Sequence, residues 1–233
     1  DLFLILRGTF AVLLLEHFHG SETVAAYQAA VPVARLNTIV RASFTFLFVP
    51  AAMRLLLRGD RDGMDDLYWK SAIWITLLTL PIFVVTFALS DPLTVRMFGN
   101  RYADSGFILS CLALGQFFSS SLGLNALMLR VYGRVRYIMA TDVAVSILAV
   151  VAHGLVIPRF GAAGAAVVSC SVMVLHCILG QVGLYHGTGV HLLNGPYLRL
   201  YASIAAGSGA LLLGQRFFGF PLGAGLALGA GVS

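Results

Sequence analysis

The chain has 233 residues, 59% of them hydrophobic and only 11% charged, with a formal net charge of +5 and a mean hydropathy of +0.90. That supply of charge is too small to clothe a soluble globular domain in water, so the composition excludes that class and points to an integral membrane protein. The pI near 9.4 leaves a nucleic-acid partner to be weighed, and the positions of the arginines decide it below.

Apolar runs of about 17 to 25 residues, the length a helix needs to cross ~30 Å of hydrocarbon, follow one another along the chain. A helix is expected in each because it satisfies its own backbone hydrogen bonds in lipid. In order, the runs predict an all-α polytopic bundle of about eight spans: residues 2–18, 24–53, 69–89, 103–129, 137–157, 163–186, 197–214 and 220 onward. Asp1 opens directly into the first run and Gly231 and Val232 fall inside the last, so the chain reads as a piece of a longer protein with its outer spans truncated. A protein whose own helices direct insertion needs no signal peptide. The connections carry turn chemistry at Gly59 to Gly63, Asp91-Pro92, Gly99-Asn100, Gly133, Pro158 with Gly161, and Gly195-Pro196, and none has room for a soluble domain.

The first span carries Arg7, whose depth is left open by the missing start of that span. On the second, Asn37, Thr38, Arg41 and Thr45 recur at intervals of three and four and form one polar stripe, while Gln28 and Arg35 form a second line; Pro32 and Pro50 are candidate bends. A charge near the bilayer centre costs at least about 2.5 kcal/mol unless it meets a partner or water. Two readings therefore stand for these arginines: they line an aqueous cavity, or they snorkel to an interface or pair with a carboxylate such as Glu16 or Glu22. Mid-span Arg41, backed by three polar neighbours, is read as cavity lining. Asp60, Asp62, Asp65 and Asp66 fall where negative charge starts the next helix. The fourth span adds Gln116, Ser119, Ser120, Ser121 and Asn125, as interhelical hydrogen bonds or as substrate contacts. On the fifth, Asp142, Ser146 and His153 share a face at offsets of four and seven. A carboxylate and an imidazole there suit a proton relay or a cation site, while the alternative for Asp142 is an ion pair with the basic loop Arg134 to Arg136. Cys111, Cys170 and Cys177 all lie in spans, at spacings that suggest packing and neither a disulfide nor a metal site.

Basic residues in short loops are retained on the cytoplasmic side. The loops after the second, fourth and sixth spans hold Arg54, Arg58, Arg61, Lys70, Arg130, Arg134, Arg136 and Arg199, against Arg96, Arg101, Arg159 and Arg216 in the opposite set, which places the first set in the cytoplasm. Topology thus accounts for the basic pI, and no nucleic-acid partner is implied. Gly183 to Gly187, Gly219 to Gly223 and Gly225 to Gly229 are small residues at the spacing that lets helices approach closely in lipid. No phosphate loop, nucleophile elbow or metal-ligand spacing is present, so the chain is expected to be no enzyme and to hold no cofactor or metal.

Several stretches, taken in order, resemble polytopic flippases of the multidrug/oligosaccharidyl-lipid/polysaccharide exporter superfamily, specifically the bacterial polysaccharide (O-antigen, Wzx-like) exporters. Val24 to Pro50, with Ala25-Ala26-Tyr27-Gln28-Ala29-Ala30 and Phe48-Val49-Pro50, is similar to the helix that opens the family's second lobe. The basic loop with Gly59-Asp60, Leu80-Pro81, Met97-Phe98-Gly99 with Tyr102, the turn from Leu129 to Arg136 around Gly133, and Ile157-Pro158-Arg159-Phe160-Gly161-Ala162-Ala163-Gly164-Ala165-Ala166 follow in the family's order. The likeness runs through most of residues 24–186; one departure is His153-Gly154, where such proteins often carry an asparagine.

The resemblance implies two pseudo-symmetric six-helix lobes, with residues 1–186 as the C-terminal lobe of a MATE-like flippase and 187–233 as an added helix pair. It implies a multi-pass protein of the bacterial cytoplasmic membrane whose partners are the bilayer, a missing N-terminal lobe of the same chain, and a polyprenyl-pyrophosphate-linked oligosaccharide moved by alternating access. In that setting Arg41, with Arg35 and Arg7, would stabilise the pyrophosphate, Asn37, Thr38 and Thr45 would contact water or sugar, and Asp142 with His153 are the candidates for ion or proton coupling. A cation-coupled drug or metabolite antiporter of the same superfamily, a polytopic glycosyltransferase or ligase, and a structural membrane subunit are the alternatives.

Overall fold

The computed structural model describes residues 2–99, 105–188 and 203. The spans expected at 197–214 and from 220 onward, the turns at Asn100 and Gly195-Pro196, the basic residues Arg101, Arg199 and Arg216, Tyr102, and the glycine pairs beyond 188 lie outside the described residues. Within them the chain forms α1 (Leu2–Ala34), α2 (Asn37–Arg58), α3 (Arg61–Ala88), α4 (Ser90–Phe98), α5 (Ser105–Ser121), α6 (Leu124–Val131) and α7 (Val135–Thr188), with no strand.

Four helical stretches among the described residues are long and apolar enough to cross a membrane: Asn37–Arg58, Arg61–Ala88, Ser105–Val131 and Val135–Gly187. The last is about twice the length one crossing needs. It is folded back on itself. His153 Nε2 lies 3.3 Å from Ser169 Oγ, Tyr137 Oη donates to Leu179 O at 2.7 Å, and Arg134 Nη2 donates to Gly187 O at 3.0 Å. These partners sit on either side of Gly161, whose φ of 57° and ψ of −139° suit a residue without a Cβ. Two antiparallel arms, 135–160 and 162–188, replace one long rod.

Gly20, at φ 79° and ψ 174°, reverses α1 in the same way. His19 packs on Gly161 at the turn, Arg7 lies within electrostatic reach of Asp142 toward the other end of α7, and Tyr27 returns to bond Ser169 at 3.1 Å. Arg35 and Leu36 form a joint between α1 and α2, where Leu36 N–H reaches Val33 O and Thr38 N–H reaches Arg35 O, each three residues back. The span expected at 24–53 is thus divided at Arg35–Leu36, between the candidate bends at Pro32 and Pro50. Asp60 caps α3 by accepting from Gly63 N–H at 2.8 Å, so that helix begins well before the apolar run at 69, with Asp62 in its first turn.

The loops divide between two ends. Tyr132, between α6 and α7, stands near Arg61 and Asp65 in the first turns of α3, which gathers the basic turns at one end. The turns at Gly20 and Gly161 form the other. Near that glycine end, Leu15, Tyr27 and Ala30 of α1 pack with Ile108, Leu109 and Leu112 of α5 and with Ile157, Ala165 and Ala166 of α7. Toward the basic end, Phe48 and Ala52 of α2, Met64, Tyr68 and Ile75 of α3, Leu124, Met128 and Leu129 of α6, and Leu184 form a second core. Phe46, Leu57 and Leu155, exposed at 80%, 83% and 69%, belong to an apolar outer surface that suits lipid contact.

Candidate functional site

Among the apolar cores lie buried polar groups, several of them at a helix break. Ser119, Ser120 and Ser121 lie together at the end of α5, and serine hydroxyls compete with the backbone ladder. The ladder steps from Leu122 N–H on Phe118 O (3.0 Å) to Asn125 N–H on Leu122 O (3.2 Å), and α6 begins at Leu124. Arg41 of α2 lies on this break. A Cβ on Gly123 would stand 2.8 Å from Arg41 Cδ and 2.9 Å from Nη1, and would collide with Ser119 O. Glycine is therefore what admits the guanidinium. The end of α5 is also the negative end of its dipole, a favourable place for a cation.

Several buried polar groups of the interior are only partly satisfied. Asn37, one turn before Arg41 on α2, is fully buried with neither Nδ2 nor Oδ1 partnered, and Ser120 Oγ, Ser121 Oγ and Gln181 Nε2 are in the same condition among the described residues. Each such group costs about 1–3 kcal/mol until it is paired. Other members are held: Tyr68 Oη donates to Gln181 Oε1 at 2.6 Å, Asn125 Nδ2 donates to Cys177 O at 2.9 Å, and Cys177 Sγ lies 3.8 Å from Phe118 O and within electrostatic reach of Arg41. The described ion pairs bring no carboxylate to Arg41.

The rest of the expected stripe disperses. Thr38 Oγ1 donates to Arg35 O (2.7 Å) and Thr45 Oγ1 to Arg41 O (3.0 Å), so both hydroxyls are turned onto their own helix. Arg35 and Gln28 are exposed, Arg35 at the α1–α2 joint with its charge near Tyr27. The joint at Arg35–Leu36 separates Gln28, on α1, from Asn37, Thr38, Arg41 and Thr45, which share α2.

A second centre forms where the arms of α1 and α7 meet. His176 Nε2 lies 2.8 Å from Asp142 Oδ1, and Arg7 is in electrostatic reach of both. Asp142 thus meets a histidine from the opposite arm, while Arg134 of the basic loop is bonded to Gly187 O. Ser146 spends its hydroxyl on Asp142 O at 2.6 Å. His153 stands apart, since eleven residues of helix separate it from Asp142 by about 16 Å. Its Nδ1 lies 2.7 Å from Ala149 O, and because a carbonyl only accepts, that nitrogen carries the proton. Nε2 lies 3.3 Å from Ser169 Oγ, which is itself 3.1 Å from Tyr27 Oη. His176 was missed in the sequence because only the fold-back at Gly161 brings it to Asp142.

Outside the spans, burial raises the Asp91 carboxyl at the start of α4 above its ordinary range, and burial likewise raises the Tyr132 phenol, opposed by nearby Arg61. Among the described residues no group of histidine, cysteine and carboxylate side chains is arranged to hold a metal. Comparison with family models, with curated proteins and with solved structures finds no match to this chain.

Proposed function

We propose that the chain is the C-terminal part of a flippase that moves a polyprenyl-pyrophosphate-linked oligosaccharide across a bacterial cytoplasmic membrane by alternating access of two lobes. In this reading residues 1–186 form the second lobe, 187–233 add a helix pair, and the first lobe comes from elsewhere in the same protein. The chain acts as a transporter and not as an enzyme.

One observation carries the reading: Arg41 lies over Gly123 at the break between α5 and α6, one turn from a fully buried Asn37 with unpartnered donors and acceptors. A pyrophosphate crossing a low-dielectric interior needs fixed cationic donors, and arginine's planar fork matches its oxygens. Asn37, Ser120 and Ser121 supply further hydrogen bonds for the head group, its water or the first sugar, and the polyprenyl tail stays in lipid. Arg35, exposed at the α1–α2 joint, and Arg7, near Asp142, add positive charge that attracts the anion. A cation-coupled antiporter would instead want a free carboxylate in the cavity, and Asp142 is already engaged by His176.

The test is complementation of a flippase-null strain by the intact protein. Arg41→Ala should insert normally and cut polysaccharide export by about 10- to 100-fold, the equivalent of one or two charge-assisted hydrogen bonds. Parental export from that variant would remove the proposal.

A further inference from the structure

We propose that the cleft between the two arms of α7 at the basic end binds the phosphodiester headgroup of an anionic membrane lipid, held by Arg134 and His186. The cleft has a volume of about 160 Å³ and is lined by Arg134, Tyr137, Val182, Gly183, His186 and Gly187. One water needs roughly 10–15 Å³, so a group of several heavy atoms fits. Two glycines keep the space open. A Cβ on Gly183 would collide with the Tyr137 ring, and one on Gly187 would stand 3.6 Å from Arg134 Nε. Tyr137 Oη donates to Leu179 O at 2.7 Å, which lays the ring along the second arm. Arg134 Nη2 donates to Gly187 O at 3.0 Å, which fixes the guanidinium over that arm's end and uses one of its five N–H donors.

Charge decides the sign of the ligand. Among the described residues no carboxylate lines the cleft, and the described ion pairs, Lys70 with Asp66 and His176 with Asp142, do not include Arg134. Arg130 and Arg136, exposed on either side of the Gly133 turn, add to the positive potential. His186, exposed near the end of the second arm, offers a ring N–H in either tautomer. A phosphodiester presents two unesterified oxygens that share one negative charge, an acceptor pair matched to a guanidinium fork. The surface beside the cleft makes the source a lipid. Val135 and Met139 on the first arm and Ile178, one turn deeper than Val182 on the second, are exposed apolar side chains. Acyl chains lying on them would hold the headgroup at the level of the cleft, and basic pockets between helices at the cytoplasmic edge of a membrane favour anionic headgroups. The cleft is separate from Arg41, so lipid binding can fail while transport survives, and the converse holds.

The experiment is native mass spectrometry of the intact, delipidated protein in neutral detergent, titrated with phosphatidylglycerol or with phosphatidylcholine. Phosphatidylglycerol should occupy one site about tenfold more tightly or better. Arg134→Gln, which removes the fork, and Val182→Phe, which fills the cleft without changing its charge, should each weaken that site about tenfold. Arg136→Gln leaves the cleft intact and should weaken it by no more than about fivefold, the effect of a nearby charge alone. Equal binding of the two lipids, parental phosphatidylglycerol binding by Val182→Phe, or equal losses in Arg134→Gln and Arg136→Gln overturns the proposal. A further arm adds inorganic phosphate: a site that takes it while showing no preference between the lipids reads a free anion and overturns the lipid assignment. If Arg134→Gln fails to fold, Val182→Phe and the parent titrations decide it.

Discussion

Gly123 carries more of the site than any charged residue except Arg41. Gly123→Ala places a methyl group against Arg41 Cδ and Ser119 O, and the backbone oxygen is the less able to yield. It should lower stability by about 1–3 kcal/mol, as overpacking does, and displace the guanidinium as well. Thermal unfolding in detergent and export in the null strain should therefore both fall, whereas Arg41→Ala should affect export alone. Tyr68→Phe leaves Gln181 without its hydrogen bond on the oxygen as well as on the nitrogen, at a cost of about 1–3 kcal/mol read by the same unfolding assay. At Asp91 the raised titration means that the folded protein binds the proton more tightly than the unfolded chain. Stability should therefore fall as pH rises from the ordinary carboxylate range through the raised one, and Asp91→Asn should flatten that slope in unfolding curves taken across pH.

At the scale of elements, two glycine turns decide what touches what. Gly161→Ala forces an L side chain into a positive-φ conformation and sets its Cβ 3.2 Å from His19 Cδ2, so it should cost about 1–3 kcal/mol and loosen the hairpin. The measurement is hydrogen exchange, which should rise through 145–172 in the variant; unchanged protection would mean that the turn tolerates a Cβ. The all-helical, apolar character was legible because length and composition suffice to find it, with four described stretches long and apolar enough to cross a membrane, and the acidic start of α3 followed from simple capping. The joint at Arg35–Leu36 and the break at 122–123 were not legible, since both interrupt runs whose composition reads as continuous. Asn37, Thr38, Arg41 and Thr45 all fall on α2, beyond the joint, whereas Gln28 lies on α1 and Arg35 at the joint itself, so the two polar lines expected on one helix belong to different elements. Asp142 with His176 was beyond reach for a different reason, because the pairing depends on the register of two arms about Gly161 and no local spacing encodes it.

Across the described residues, the basic turns at Gly59 and Gly133 gather at one end and the turns at Gly20 and Gly161 at the other, with buried polar groups among the apolar cores. If the basic end faces the cytoplasm, reporter fusions after Gly59 and Gly133 should report cytoplasmic placement, and a fusion after Gly99 the opposite side; a reversed pattern would invert the direction of access but leave the site at Arg41 intact. The central claim is that Arg41 holds a pyrophosphate head group during crossing. Flipping of a fluorescent polyprenyl-pyrophosphate oligosaccharide by the intact protein in proteoliposomes tests it directly. The account predicts that Arg41→Ala slows flipping by about tenfold or more, with Arg41→Lys intermediate because it keeps the charge without the fork. Flipping by Arg41→Ala at the parental rate would contradict it.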